Sequence, residues 1–356
     1  MMRPRLERRL APSAAARWGG YGVAISLAFC MGGVVFLLAG ADPFAAYAVM
    51  ARGAFGSLHD LSEVVVKAIP LMLCGLAVAV AAKIQVWNVG GEGQLVLGGI
   101  GAAGVALFLG PLLPSATILP LMLAAGFLAG GLWALLAGVL RAKLDVNEIL
   151  TTLMLNYVAI FWLEHLYFGP WRDPMGMGFP GTAMFPENAW LPRLPGTRIH
   201  PGFVLALCAA VLFQVALSRT RWGFEVRVIG ESVKAARYAG MRIGRTILWV
   251  MFLSGGLAGL AGMAEVSGIH YRLQQGLAVG YGYTGIIVAW LARLHPVGII
   301  LTGFFIASLL VGGDQLQTVM HLPSAVGLVL EGTLLFFVLG SDFFSRYRVH
   351  WGTPRP

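Results

Sequence analysis

Charged side chains are scarce in this sequence of 356 residues, and their scarcity excludes a soluble globular fold. Asp, Glu, Lys and Arg make up 12% of the chain and hydrophobic residues 58%, whereas soluble domains carry about 25% charged residues. Too few polar side chains are present to cover the surface of a soluble protein. The composition therefore predicts an α-helical protein that crosses a membrane several times.

Cysteine is also rare, and the usual catalytic motifs are missing. Cys30, Cys74 and Cys208 each lie inside an apolar run without a second Cys or a His at ligand spacing, so we expect neither a disulfide framework nor a metal site. The sequence has no G-x-x-x-x-G-K-[ST] motif, and hence no usual cradle for ATP phosphates. It also lacks G-x-S-x-G and H-E-x-x-H. We expect a protein that is not an enzyme and binds no cofactor itself.

One apparent nucleotide motif has the wrong surroundings. Gly280, Gly282 and Gly285 give G-x-G-x-x-G, but no strand precedes them and no βαβ unit surrounds them. The motif binds a dinucleotide only in that setting. We therefore expect no dinucleotide site.

Long apolar runs provide the membrane crossings. About ten stretches approach the roughly 20 residues that a helix needs to cross about 30 Å of hydrocarbon. They lie at residues 22–41, 62–82, 93–110, 117–140, 147–168, 201–218, 246–267, 277–292, 297–313 and 323–341. The run at 277–292 is short, so it either spans or forms a re-entrant hairpin buried in protein. We expect an all-α polytopic membrane protein with about ten transmembrane helices, short or re-entrant segments included.

Positive charge sets the expected orientation, because Lys and Arg stay on the cytoplasmic side during insertion. Most of the 25 lysines and arginines are cytoplasmic if both termini are inside. This bias accounts for the net charge of +9 without nucleic acid. Within a single membrane domain, residues 1–356, it predicts a basic cytoplasmic N-tail (1–20), an extracytoplasmic loop (169–200), a cytoplasmic coupling loop (219–245) and a cytoplasmic C-tail (342–356).

Two features of the sequence concern packing: the predicted outer loop and glycines at helical spacing. The loop at 169–200 is rich in Pro and Gly, so it cannot be regular helix; it is either a structured linker or a rim that meets an extracytoplasmic partner. Glycines recur at helical spacing, as in Gly126 with Gly130, Gly255 with Gly259, and Gly98 with Ala102. Such faces let a neighbouring helix backbone come close.

Two polar clusters interrupt the apolar runs. The candidate residues are Asn88, Glu92, Gln94, Glu148, Thr152 and Asn156. The last three lie about one turn apart on one helix face. Ionisable groups are costly against lipid, so they must face protein or a water-filled path. Two interpretations stay open: polar contacts that hold helices together, with Asp145 or Asn147 as a helix cap, or the lining and gate of a transport path.

The cytoplasmic loop carries a candidate docking segment. Small residues at helical spacing between basic flanks predict a helix over 230–240 that contacts a cytoplasmic partner. The residues concerned are Gly230, Glu231, Ala235, Ala236, Tyr238, Ala239 and Gly240.

Three stretches together resemble a known family. WNVGGEGQLVLGG, LDVNEILTTLMLNY, and VIGESVKAARYAGM followed by SGGLAGLAGMAEVSG resemble the permease subunits of bacterial ABC importers for nucleosides and simple sugars, a branched-chain amino acid and ribose type of permease. The resemblance runs in order over about residues 60–340. Trp87 stands where the family usually has Phe, and Gly91 where Ala is common. GYTGIIVAWLARLHP is similar to a further family stretch, with Trp290 and His295 as departures.

The resemblance implies a set of partners. A permease of this family pairs with a second permease subunit as a homo- or heterodimer, contacts a cytoplasmic ABC ATPase that binds ATP and Mg²⁺, and receives solute from an extracytoplasmic binding lipoprotein. It lies in the bacterial cytoplasmic (inner) membrane and crosses it many times. The competing class is an ion-gradient-driven secondary transporter of a small polar solute, in which Glu92, Glu148 or Asp314 would titrate. A membrane-embedded enzyme is a third and less favoured class of protein.

Overall fold

The chain is almost entirely α-helical. The computed structural model describes residues 3–8, 14–323 and 325–352. Its helices are α1 (Ala14–Leu38), α2 (Pro43–Phe55), α3 (Leu58–Ala82), α4 (Gly91–Gly104), α5 (Ser115–Leu144), α6 (Glu148–Phe168), α7 (Gly202–Arg219), α8 (Arg221–Glu231), α9 (Val233–Tyr238), α10 (Ile243–Glu265), α11 (Tyr281–Leu291), α12 (Pro296–Met320) and α13 (Ala325–Arg346). Strands β1 (Arg3–Arg8) and β2 (Tyr347–Gly352) form one antiparallel pair.

Seven of the described helices are long and apolar enough to cross a membrane. They are α3, α5, α6, α7, α12, and α4 and α10, each of which continues into a π-helical turn. The bent pair of α1 and α2 makes an eighth candidate. Helix α11 has 11 residues, a length of only about 16 Å, and the apolar part of α13 is Ala325–Ser341. The predicted polytopic α-helical membrane protein is confirmed; the count of ten crossings and the orientation stay predictions.

Contacts divide the chain into two compact units, residues 1–60 with 308–356, and residues 61–307. In the first unit, α1 packs along α13. A buried apolar cluster there includes Phe36 and Met50.

A sharp bend of 112° separates α1 from α2. The Asp42 carboxylate accepts the N–H groups of Phe44 (3.3 Å) and Ala45 (3.1 Å), and Pro43 takes the first position of α2. An Asp cap followed by Pro is a strong helix start. The sequence therefore ends one helix and begins another at this point.

The structure describes part of each of the two predicted tails. Helix α1 begins at Ala14, inside the expected N-tail of residues 1–20. Backbone pairing joins β1 to β2, with Arg3 opposite Gly352. The six residues of β1 carry no alternation of apolar and polar side chains that would predict a strand. Their pairing depends on β2, at the other end of the chain.

Glycine faces bring three helices of the second unit close together. A Cβ added to Gly98 would collide with the backbone of Gly259, and one added to Gly130 would collide with Gly255 and Gly259. Helices α4, α5 and α10 thus touch nearly backbone to backbone, which only small residues allow. The predicted close approach at these glycines is confirmed.

The outer loop is irregular, as its Pro and Gly content predicts. Residues 169–200 contain one 3₁₀ turn, Glu187–Ala189, and otherwise turns and extended backbone. Gly181 forms an isolated bridge with Gln274, and the Thr182 N–H donates to the Leu273 carbonyl (2.8 Å). The loop is therefore fixed against the segment before α11.

Candidate functional site: a buried polar junction

The six predicted path residues lie together in one buried cluster, here called the polar junction. It consists of Asn88, Glu92, Gln94, Glu148, Thr152 and Asn156, each at most 8% exposed. The loop at 83–90, the first turn of α4 and the first three turns of α6 supply them. Helices α4 and α6 pack against each other, which brings residues about 60 positions apart into contact.

Asn88 and Gln94 form a reciprocal amide pair. The Asn88 Nδ2 donates to Gln94 Oε1 and the Gln94 Nε2 donates to Asn88 Oδ1, both at 2.8 Å. Asn88 also donates to Ser254 Oγ (2.8 Å), whose hydroxyl donates to the Ala77 carbonyl (2.6 Å). The pair thereby joins the α4 entrance to α10 and α3, and its amide groups are satisfied internally.

Two α6 side chains hold the loop that leads into α4. The Gly93 N–H donates to Asn156 Oδ1 (2.8 Å), and Asn156 Nδ2 donates to the Val89 carbonyl (3.0 Å). The Val89 N–H donates to Thr152 Oγ1 (3.2 Å). Asn147 caps α6 through the Ile149 N–H (2.9 Å). The predicted common face is confirmed, and of the two predicted cap residues Asn147 caps α6 while Asp145 ends α5.

Glu148 lies at the edge of the junction, where it pairs with a basic group. Its Oε1 accepts the Trp87 N–H (3.3 Å), and its Oε2 lies 3.4 Å from Arg141 Nε. Arg141 also pairs with Asp145 at 2.6 Å. Glu148 therefore connects the end of α5 to the loop before α4.

Glu92 caps the short helix α11. Its two carboxylate oxygens accept the N–H groups of Gly280 and Gly282, both at 2.7 Å. Free N–H groups and the macrodipole make a helix N-terminus favourable for an anion. A side chain of α4 thus fixes the start of a helix 188 positions away along the chain.

The glycines of the discounted motif now have a structural role. Gly280 has φ +96°, a left-handed conformation that favours glycine. A Cβ on Gly282 would collide with the backbone of Gly91 and Glu92. The G-x-G pattern therefore holds a protein carboxylate, and no dinucleotide is needed to explain it. Sequence reasoning missed this pairing, although paired glycines before a helix are a known anion-binding arrangement.

An aromatic edge lies next to the polar junction. Tyr283 Oη accepts from Asn156 Nδ2 (3.1 Å) and is 36% exposed. Trp87 stacks on Trp290 with ring centroids 5.3 Å apart. The junction can therefore hold α4, α6, α10 and α11 in one arrangement, and Glu92 supplies the contacts to the first residues of α11.

The predicted coupling residues form two helices instead of one. Ser232 is extended and its Oγ accepts the Ala235 N–H (3.2 Å), so a new helix cap divides α8 from α9. Ala236 is fully buried, whereas Tyr238 is 94% exposed. Gly240 ends α9 with φ +71°. Of the predicted surface, Tyr238 is the residue best placed to meet a partner.

One hydrogen bond joins this segment to the loop before the polar junction. Gln85 Nε2 donates to the Gly230 carbonyl at 2.6 Å. A Cβ on Gly230 would collide with the Lys83 carbonyl, so glycine permits the close approach. Burial lowers the pKa of the Lys83 ammonium below its usual range. The α8 end and the 83–90 loop therefore contact each other directly.

A buried histidine, His200, lies at the end of the loop at residues 169–200. His200 is 2% exposed, and its Nδ1 accepts the Gly202 N–H (3.2 Å). Burial, and then the positive charges of Arg193 and Arg198, lower the pKa of His200 to about 4. Arg198 also pairs with Glu63 at 2.9 Å. Sequence reasoning did not single out this residue.

Known transport proteins resemble this chain over most of its length. The family described as branched-chain amino acid transport system / permease component matches residues 61–339. The glucose ABC transporter permease protein TsgB13 of Haloferax volcanii is 38% identical, over 96% of this chain and 92% of that protein. The guanosine ABC transporter permease protein NupP of Bacillus subtilis is 32% identical, over 90% and 92%. The nucleoside ABC transporter permease protein NupB of Lactococcus lactis is 29% identical, over 89% of each.

The apolar helices and the buried polar junction define a multi-pass membrane protein. The chain belongs to the branched-chain amino acid transport system / permease component family, whose match covers most of its length. It is a transport subunit, as the sequence predicts. Among the described residues, no group of three or more His, Cys, Asp or Glu side chains could hold a metal ion.

Proposed function

We propose that this chain is the permease subunit of an ATP-binding-cassette importer and forms the path for a nucleoside or simple sugar. The three relatives named above are ABC transporter permeases, for glucose, guanosine and nucleosides. Their solutes differ, so the proposal keeps both classes. The site of action is the cytoplasmic membrane of a bacterium.

The importer needs three other components. A separate ABC ATPase hydrolyses ATP, since this sequence has no phosphate-binding loop. A second permease subunit completes the path, and a binding lipoprotein delivers the solute from outside. The polar junction residues line or gate the path, and the residues from Gly230 to Gly240 receive the ATPase.

The observation that carries the mechanism is the hydrogen bond between Gln85 and Gly230. It connects the proposed ATPase contact to the loop that enters the polar junction. The junction in turn holds α11 through Glu92. A displacement of α9 that moves the end of α8, where Gly230 lies, would therefore be transmitted through the 83–90 loop to α4 and α11.

Alternating access requires that the ATPase favour one arrangement of these helices over the other. A ligand or partner shifts such an equilibrium only through its different affinity for the two states. In the proposed cycle, ATPase closure displaces α9, and the Glu92 cap on α11 holds in one state and opens in the other. Solute then passes when α11 is released.

The ATPase contact is tested by co-purification. Tyr238→Glu adds a charge at a side chain that is 94% exposed, so the fold should tolerate it. We expect an ABC ATPase to co-purify with the wild-type chain and to be lost from the variant. The matched control is Phe179→Glu in the outer loop, also exposed at 73%, which should retain the ATPase.

Two results would contradict the proposal. If the ATPase stays bound to the Tyr238 variant, α9 is not part of the ATPase contact. Absence of any ATPase from the wild-type preparation, together with uptake that a proton or sodium ionophore abolishes, would favour the secondary transporter.

A further inference from the structure

A cavity of about 490 Å³ opens beside the α8 to α10 segment. Its wall is formed by the start of α8, the end of the α9 loop and the first two turns of α10. The volume falls within the range of small-molecule sites, roughly 300–1,000 Å³. Two of its wall residues, Ala239 and Gly240, belong to the proposed ATPase contact, and the other nine take no part in the transport mechanism described above.

The cavity wall carries an excess of positive charge. Arg221, Arg242 and Arg245 line it with one acid, Glu225, giving three positive charges against one negative. Glu225 lies 3.9 Å from Arg221 and offsets that residue. The described part of the chain gives Arg242 and Arg245 no ion-pair partner, and both are exposed. Arginine is the side chain best suited to bind phosphate oxygens.

The cavity lies at the first two turns of α10, near one end of a candidate membrane span. The span Ile243–His270 has 28 residues and a length of about 42 Å, against about 30 Å of hydrocarbon. In a centred, upright span, about four residues at each end, roughly 6 Å, would extend into the headgroups. Arg245 would lie in that layer, and Trp249, about 9 Å from the helix start, would lie just inside the hydrocarbon.

Aromatic side chains occupy the apolar side of the same cavity. Trp249 is 50% exposed and Phe224 52% exposed, and both line the wall with Trp222. Trp is enriched at the boundary between headgroups and hydrocarbon. The wall is thus cationic at the helix ends and aromatic toward the bilayer.

We propose that this cavity binds the phosphate headgroup of an anionic phospholipid. Arg242 and Arg245 would contact the phosphate, and Trp249 and Phe224 would contact the glycerol and the upper acyl chain. Basic residues beside the cytoplasmic end of a transmembrane helix attract such headgroups. The aromatic side of the wall favours a lipid over an acidic loop of the ATPase, because an acyl chain would cover Trp249 and Phe224 and an acidic loop would not.

Phospholipid binding to the full chain, together with the subunits that co-purify, provides the test. Native mass spectrometry measures the affinity for phosphatidylglycerol and, separately, for phosphatidylcholine. In Arg242→Gln with Arg245→Gln, affinity for phosphatidylglycerol should fall about thirtyfold, as expected for two cations near a membrane surface. Phosphatidylcholine should bind weakly to both proteins.

The matched control removes the same charge from the same loop. Lys234 and Arg237 are exposed and lie outside the cavity, so Lys234→Gln with Arg237→Gln should retain phosphatidylglycerol affinity within about threefold. Arg242→Lys with Arg245→Lys keeps both charges and should retain binding; this variant separates loss of charge from misfolding.

Three outcomes would overturn the proposal. Equal weakening in both Gln pairs would indicate diffuse surface charge. Phosphatidylglycerol that binds the chain freed of ATPase but not the complex with ATPase would make the cavity part of the ATPase contact. Competition by millimolar inorganic phosphate would assign it to a soluble anion.

Discussion

Glu92 is the residue on which the proposed gate most depends. Its two oxygens each accept a backbone N–H at the start of α11. Bonds to a charged group contribute about 1.5–3 kcal/mol each. A carboxylate that caps a neighbouring helix can therefore bias that helix between two positions.

Glu92→Gln should separate a gate from a purely structural contact. Glutamine has one acceptor oxygen, so one of the two N–H groups of α11 would lose its partner and face an amide donor. The loss of one such bond changes a two-state equilibrium by about tenfold or more. We expect uptake to drop by at least that factor at unchanged expression, measured with labelled solute in reconstituted vesicles.

Glu187→Gln controls for the removal of a charge, since Glu187 is exposed in the outer loop. It should transport normally. Wild-type uptake by the Glu92 variant would return the polar junction to a structural role, the interpretation based on contacts between helices.

His200 predicts a dependence of stability on pH. Its pKa is about 4 in the folded chain and 6.5 in the reference state, so the unfolded chain binds more protons between these values. With respect to this group, the free energy of unfolding therefore has its full value above pH 6.5 and decreases as the pH drops toward 4. The decrease is about 3 kcal/mol at most.

His200→Asn tests this assignment. Asparagine keeps an acceptor for the Gly202 N–H but cannot be protonated. Melting temperatures at pH 7 and pH 5 should differ less in the variant than in the wild type. An equal difference in both proteins would assign the acid sensitivity to other groups.

Residue spacing predicts local relations better than distant ones. Glu148, Thr152 and Asn156 are placed on one face by helical periodicity alone, and all three are buried. The partners of Glu92 lie about 190 positions away, and no local pattern specifies that contact. The sequence analysis only discounted the G-x-G pair as a dinucleotide site, and its role in binding the Glu92 carboxylate could be found only in the fold.

At the scale of elements, the segment at 219–245 shows how a cap changes a prediction. Small residues over 230–240 predict one helix, yet Ser232 caps a second one. Ala236 points inward and is fully buried, so a bulky charge there would disrupt the segment itself. Tyr238 is therefore the better position for probing a partner.

Gln85→Ala tests transmission between elements. The variant removes the side-chain bond to Gly230 and leaves α9 and its exposed face unchanged. We expect ATP hydrolysis to continue while solute transported per ATP falls. Gln274→Ala is the control, because Gln274 bonds Arg272 at 2.6 Å in the outer segment. A normal ratio of transport to hydrolysis in the Gln85 variant would place transmission elsewhere.

At the scale of the whole molecule, the division into two units was not predictable from apolar runs. Residues 1–60 pair with 308–356 through contacts between the chain ends, and hydropathy carries no information on such pairing. The other unit, residues 61–307, lies within the family match. It contains the polar junction and the proposed coupling residues, so the functional prediction depends on that unit.

The proposed orientation, with both termini in the cytoplasm, is tested by labelling. Reporter cysteines at Met175 and Lys234 suit it, because Met175 is 85% exposed and Lys234 is exposed on α9. Cys30, Cys74 and Cys208 are first replaced by Ser, Ala and Ser. An impermeant thiol reagent should label position 175 from outside and position 234 only after permeabilisation. The reverse pattern would invert the orientation.

Arg193 and Ser232, on the same loops, suit reporter cysteines less well. Arg193 donates to the Gly268 carbonyl at 3.0 Å, and Ser232 caps α9. A cysteine at either position would remove a structural contact together with the native side chain.

The most direct measurement is uptake by vesicles that contain the complete complex with its binding lipoprotein. Labelled guanosine and labelled glucose are supplied on the side of the binding lipoprotein. ATP or a non-hydrolysable analogue is supplied on the side of the ATPase. Ionophores collapse the proton and sodium gradients. We predict that one of the two solutes accumulates only with hydrolysable ATP and that ionophores leave its uptake intact. Accumulation without ATP that the ionophores abolish would contradict the account.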